Sequence, residues 1–394
     1  YKRKIIIIMY NYNFNIDDEI SNLKKFLSSN EDSDMHTYIE RLLAHNLHCI
    51  TPPFTKKLDY KDYFNFIEGL SYYCPSLSLS FSMHLYTTWG LDYLLTSEQK
   101  KYFFPKIIEE RALFSSLNEP GLYFIHPKNI NLSEYPIIAQ KIDNHSYILN
   151  GTKRFVSLEP FVRYLPVYAK LEGYTGPSHG IGLFIVDKNK IGVSVKQSWD
   201  TIAMADTYSN DITFNNVCLN QRELILDGTT SINSTNILGY LFRFFISCVY
   251  YGIAHRALDY ITELAQRKKV PHTNQLLGKF PGVQFSIAEM IITLETMYSQ
   301  IMHFCNLMNN IDENSKAIEQ TSLVTKEYIT TSSRKIIDAA TRVHGIQSLF
   351  SSDLLSKLYR DVKAGEFHPP QRDITYELLS KRHLGLITLK NRWC

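Results

Sequence analysis

The sequence predicts an α+β multidomain fold: an N-terminal helical domain (1–113), a central antiparallel β-barrel or sandwich (114–228) and a C-terminal four-helix bundle (229–394). Three observations predict it. Apolar residues recur at helical spacing at both ends, and short β-type runs bounded by turn residues fill the middle. No internal repeat joins the two patterns. With 394 residues, 44% hydrophobic and 21% charged, the chain can bury a large core and does not read as disordered.

From 17 to 113 one helix follows another. Ile20, Leu23 and Leu27 share a face, as do Ile39, Leu42, Leu43 and Leu47; Pro52-Pro53 breaks the pattern and Tyr63 to Leu70 resumes it. Leu77 to Leu85 alternates like a strand, but its small residues and helical neighbours predict a closely packed buried helix. Strands are expected at Tyr147-Ile148-Leu149, Leu165 to Ala169, Ile181 to Val186 and Ile212-Thr213-Phe214, with Asn150-Gly151 as a hairpin turn. From about Ser234 helices return, one through Leu241, Phe245, Cys248 and Gly252, one from Val283 to Met297, and one through Ile336, Ala340 and Val343.

Composition excludes several functions. Lys+Arg 42 against Asp+Glu 39 gives +3, no basis for a nucleic-acid partner. The six cysteines lack CxxC pairs, which predicts reduced thiols and neither a disulfide framework nor a zinc site; no metal-ligand spacing is present. Neither GxGxxG nor GxxxxGK occurs. The apolar run after Lys2-Arg3-Lys4 is too short for a signal peptide, and Met9 is read as the natural start. No membrane span is expected, so the expectation is a cytoplasmic protein.

Five segments, in order, narrow the fold further: Asn118-Glu119-Pro120-Gly121, Asn150-Gly151-Thr152-Lys153-Arg154-Phe155-Val156-Ser157, Ile212 to Val217, Gln284 to Met290, and Leu358-Tyr359-Arg360-Asp361. Together they resemble the acyl-CoA dehydrogenase superfamily over nearly the whole chain. The resemblance implies FAD as cofactor and α,β-dehydrogenation of an acyl thioester carried by CoA or a carrier protein. It also implies an external flavoprotein as electron acceptor and a homodimer or homotetramer. By the same resemblance Ser157 and Phe155 lie at the flavin ring. Gly345 and Gln347 stand in the family's glycine motif, now Gly345-Ile346-Gln347-Ser348, and Arg267 represents the Arg-x-x-Phe-Gly contact.

This sequence departs from the family where the base belongs. Phe124-Ile125 replaces the expected Ser-Asp, Pro369-Pro370-Gln371 stands where the commonest branch has Glu-Gly-Thr, and Phe242 stands where a second branch has its Glu. Proline accepts no proton, so a substitute is needed. Glu366-Phe367-His368 precedes the two prolines, which fix the backbone there; His368 or Glu366 is the candidate base. His84, in an apolar segment, pairs with His368 in an alternative reading, a flavin-dependent monooxygenase on the same fold. A catalytically degenerate paralogue is the third reading.

Overall fold

The computed structural model describes residues 12, 14–31, 33–119, 122, 135–176, 180–228 and 236–387. Tyr1 to Met9, Pro120-Gly121, Phe124-Ile125 and Cys394 lie outside them.

The N-terminal helices are α1 (Ile16–Ser29), α2 (Met35–Ala44), α3 (Tyr60–Tyr73), α4 (Pro75–Leu94) and α5 (Ser97–Ile108). The starts of α2, α3 and α5 are set by side chains that satisfy otherwise orphan amides: Asp34 accepts from Thr37 N–H, Asp59 from Lys61 N–H, and Thr96 with Gln99 closes a capping box. The alternating segment is helix, within α4, and every residue from Pro75 to Leu91 is buried. Serines 76, 78, 80 and 82 make this possible, since small residues let neighbouring elements approach α4 from every side. Ser78 donates to the Ile67 carbonyl of α3 at 2.9 Å.

The central sheet holds β1 (Leu113–Phe114), β2 (Ile137–Lys141), β3 (Ser146–Val156), β4 (Val162–Leu171), β5 (Ile181–Asp187), β6 (Val193–Lys196), β7 (Asn210–Asn220) and β8 (Leu224–Leu226). Its order is β6-β7-β3-β2-β4-β5-β8, with β1 added beside β4. The β1/β4 and β2/β4 pairs are parallel, so the sheet is mixed, while the other pairs are antiparallel as expected.

Asn150-Gly151 is not a hairpin turn. It lies inside β3 at a register shift between Leu149 and Gly151 against β7. The Asn-Gly pair marks a backbone that needs positive φ, which a bulge uses as readily as a turn. Gly151 has φ 131°, and a Cβ there would stand 2.2 Å from the Pro136 carbonyl oxygen. A second shift between Lys153 and Val156 places Phe155 at φ 59°.

The C-terminal part packs α6 (Asn236–Arg267), α7 (Pro281–Asn309) and α8 (Ile311–His344) as three long helices. The shorter α9 (Leu354–Val362) and α10 (Arg372–His383) follow. Ile374 and Leu378 of α10 close on Leu323 of α8, completing the bundle. By length and composition α6 could cross a membrane, yet 83% of its apolar window is buried in the protein, against α3, α4, α7 and α8. It is the core helix on which the N-terminal helices and the rest of the bundle both lean.

Candidate active site

The site begins at the end of β3. The second bulge breaks the alternation of the strand and turns Phe155 outward, 54% exposed, with the Arg154 guanidinium 5.2 Å over its ring and Trp199 edge-on at 6.2 Å. The Phe155 amide donates to Asp211. Two residues on, the Ser157 hydroxyl meets Ser209 Oγ at 2.9 Å, Ser209 meets Thr207 Oγ1 at 2.9 Å, and Thr207 donates to the Met204 carbonyl at 2.8 Å.

Met204 is also where the three parts of the molecule meet. Its amide donates to Asp361 Oδ1 of α9 at 2.6 Å, its sulfur accepts from Ser76 of α4, and its carbonyl accepts from the Trp199 indole at 3.0 Å. Burial raises the Asp361 carboxyl to about 6, and its second oxygen has no protein partner.

A second cluster of side chains gathers on the loop after α9. His368 is half-buried, with Nε2 2.9 Å from the Tyr250 hydroxyl and its ring edge-on to Phe242 at 6.4 Å. Desolvation, and then the Lys326 ammonium, hold this imidazole well below its ordinary value, so it is uncharged. Tyr250 is fully buried, and Gly365 makes room for it: a Cβ there would come within 3.0 Å of the phenol ring. Lys326, 1% exposed, donates to the Pro370 carbonyl at 3.1 Å and so ties α8 to the loop; burial lowers its ammonium to about 8. The Pro369–Pro370 bond is cis. Glu366 points away from the imidazole, into an ion pair with Arg334, its side chain 40% exposed.

The structure does not bring His84 to His368. Its Nδ1 accepts from the Phe114 amide at 3.0 Å and its Nε2, which therefore carries the proton, donates to the His48 carbonyl at 3.0 Å. Fully buried and driven down to about 3 by desolvation, it ties α4 to β1 and has no nitrogen left for chemistry. Tyr86, two residues and so about 200° further round α4, is the residue that reaches the site. Its ring meets Phe242 edge-on at 5.4 Å, and its hydroxyl accepts from the Asn118 amide at 2.7 Å. Next to Asn118, Glu119 faces the buried Lys153 ammonium of β3 at 3.8 Å.

The remaining expected residues lie at the far end of the bundle. Gly345 ends α8 with φ 80°, and a Cβ on it would touch nothing within 4 Å. Gln347 is exposed and accepts from Lys268 at 3.3 Å; Ile346, Leu349 and Phe350 beside it are exposed. Arg267 is exposed at the end of α6, 3.8 Å from Glu263.

The family model of the acyl-CoA dehydrogenase middle domain matches residues 132–217, and that of the acyl-CoA dehydrogenase C-terminal domain matches residues 228–382. The chain belongs to the acyl-CoA dehydrogenase family. It is 27% identical over 236 residues to YdbM of Bacillus subtilis, 59% of each chain, so it spans less than two thirds of that relative's length. It is 29% identical over 280 residues to 3-(aryl)acrylate reductase of Clostridium sporogenes, 70% of each chain. Among solved structures, butyryl-CoA dehydrogenase of Megasphaera elsdenii superposes with a TM-score of 0.80 at 17% identity, covering 95% of this chain and 100% of that one. The dibenzothiophene monooxygenase TdsC of Paenibacillus sp. A11-2, with FMN and indole, gives 0.83 at 16% identity over 97% and 100%. Both likenesses concern the fold.

An acyl-CoA dehydrogenase fold carries a flavin, and the residues at the end of β3 fit one. An exposed, backbone-fixed aromatic ring and a hydroxyl side by side make a shelf for a flat heterocycle. Three residues escaped the sequence reading: Tyr250, Tyr86 and Lys326. Tyr250 had a signal, since it lies two turns along α6 from Phe242. Lys326 had none, because a lysine in a helical pattern reads as solvated.

Proposed function

We propose that this protein is an FAD-dependent oxidoreductase acting on the α,β carbon–carbon bond of an acyl thioester, with His368 exchanging the α-proton. The observation that carries the reading is the uncharged imidazole of His368, held between Phe242 and Tyr250 and next in the chain to Pro369, one of the two positions where the resemblance puts a carboxylate. The uncharged imidazole has a lone pair free to accept at neutral pH, and the burial and Lys326 charge that keep it uncharged also weaken it as a base. With Nε2 facing Tyr250, the proton is taken at Nδ1, which requires Nε2–H to donate to the phenol oxygen. Phe242, Tyr86 and Tyr250 keep water from the reacting carbon. Phe155 and Ser157 would hold the flavin ring. Gly345, Gln347 and Arg267 would meet its pyrophosphate in a neighbouring copy, beside the exposed Ile346, Leu349 and Phe350 that such an interface would cover. Bound flavin supplies the hydride acceptor for the β-carbon.

CoA or a carrier protein bears the acyl group, an external flavoprotein takes the electrons, and a homodimer or homotetramer is the working form. Cys49, Cys74, Cys218, Cys248 and Cys305 are free thiols, which suits a reducing cytoplasmic setting. The test is the anaerobic visible spectrum during titration with acyl-CoAs of graded chain length. Bleaching of the flavin bands is expected; a flavin left oxidised by every thioester, on CoA or on carrier protein, refutes the reading.

One observation favours a second reading. Phe242 and Pro369 leave both carboxylate positions without an anion, as suits an oxygen-using flavin monooxygenase that needs no such base. It would show oxygen uptake with a supplied flavin reductase, stimulated by a small aromatic substrate.

A further inference from the structure

The hydroxyls that run from Ser157 into the β-domain form a chain whose direction can be counted. Three contacts follow one another: Ser157 Oγ to Ser209 Oγ at 2.9 Å, Ser209 Oγ to Thr207 Oγ1 at 2.9 Å, and Thr207 Oγ1 to the Met204 carbonyl at 2.8 Å. The chain ends on a carbonyl, which only accepts. Three hydroxyl protons are available for three contacts. They fill all three in one arrangement only: Thr207 donates to the carbonyl, Ser209 donates to Thr207, and Ser157 donates to Ser209. Any other arrangement leaves two oxygens facing each other within 2.9 Å with no proton between them, in a pocket where Thr207 and Ser209 are buried. The end of the chain is itself pinned, since the Met204 amide is held by Asp361 and its carbonyl also accepts from Trp199.

We infer that Ser209 and Thr207 are positioning residues that turn the Ser157 hydroxyl inward, so that Ser157 meets the flavin with lone pairs and stabilises the reduced cofactor. The inference rests on the proposal that Ser157 lies at the flavin. An oxidised flavin's N5 is a bare acceptor, whereas the two-electron-reduced ring carries a proton there. A hydroxyl whose proton is already given to Ser209 can accept that N5–H and has nothing to offer the oxidised ring. This chain is thereby biased toward holding a reduced flavin.

The test is the midpoint potential of the bound flavin, read from its visible spectrum during anaerobic titration of the holoprotein against a reference dye. Ser209→Ala frees the Ser157 proton to turn outward toward the oxidised ring, and Ser157→Ala removes the acceptor. Each is expected to lower the potential by the equivalent of a tenfold change in the ratio of reduced to oxidised binding, about 30 mV for a two-electron couple. The double variant should fall no further than Ser157→Ala alone, and Thr207→Ser, which keeps every contact, should hold the wild-type value. A potential that rises in Ser157→Ala, or one unchanged in Ser209→Ala, overturns the inference while leaving the proposed function standing. A wild-type protein that takes up no flavin overturns both.

Discussion

His368 and Glu366 stand two residues apart on one loop and have opposite fates. The carboxylate is spent on Arg334 at a half-exposed edge, where an ion pair contributes at most about 1 kcal/mol, while the imidazole faces inward against Tyr250. Glu366→Gln is therefore expected to keep flavin bleaching by thioester within about threefold of wild type. His368→Gln keeps the size and removes the proton acceptor, so bleaching should slow by about 100- to 10,000-fold with the flavin still bound. Stopped-flow absorbance on the two variants checks both. Equal, modest slowing in the two would leave neither group as the acceptor. Sequence pointed to this loop because two prolines follow the ionisable residues. It could not choose between Glu366 and His368, since the choice depends on Arg334, Tyr250 and Lys326, which approach from α8 and α6.

At the scale of the element, β3 decides how the site is presented. Its two bulges lie on either side of Thr152 and Lys153: one needs the positive φ that Gly151 adopts freely, the other puts Phe155 on the surface. Gly151→Ala is expected to destabilise the protein by about 2–3 kcal/mol, because its φ disfavours any Cβ and the Pro136 carbonyl occupies the space. A urea midpoint unchanged from wild type would show that the strand relaxes without the bulge. The helices of both ends were legible because apolar spacing repeats over many turns, and α4 was legible in spite of its strand-like alternation. The bulges were not, since Asn-Gly reports only the need for positive φ. Whether a bulge or a turn meets that need is settled by β7 through Asn216, whose amide donates to the Asn150 side chain. The parallel pairing of β1 and β2 with β4 was equally hidden, because a single strand's pattern does not record its partner's direction.

For the molecule as a whole, acid is the expected weakness. His48, His84 and His368 are neutral in the fold, pushed down chiefly by desolvation to about 4, about 3 and about 3. In the unfolded chain they titrate near 6.5. Below that pH the unfolded chain binds protons that the native protein refuses, so stability is full above about 6.5 and falls as pH drops toward 4 and then 3. Asp361, raised to about 6, acts in the opposite sense between about 4 and 6, but one carboxyl opposes three imidazoles. By pH 4.5 each ring should have cost about 2.5 kcal/mol. His48→Gln, whose amide can still donate to the Ile107 carbonyl as His48 Nε2 does, should remove nearly half of the net loss. Urea midpoints at pH 7 and 4.5 measure this, and a midpoint independent of pH in that range would contradict it.

The junction at Met204 gives the protein an optical reporter. Of the tryptophans at 89, 199 and 393, Trp89 is enclosed by Tyr60 and Tyr63 in the helical core, whereas Trp199 has its indole nitrogen on the Met204 carbonyl and its ring beside Phe155. Its emission should be quenched by energy transfer when a flavin settles on Phe155. It should shift when α9 lets go of the Met204 amide, so that cofactor loading and separation of bundle from sheet are read at one wavelength.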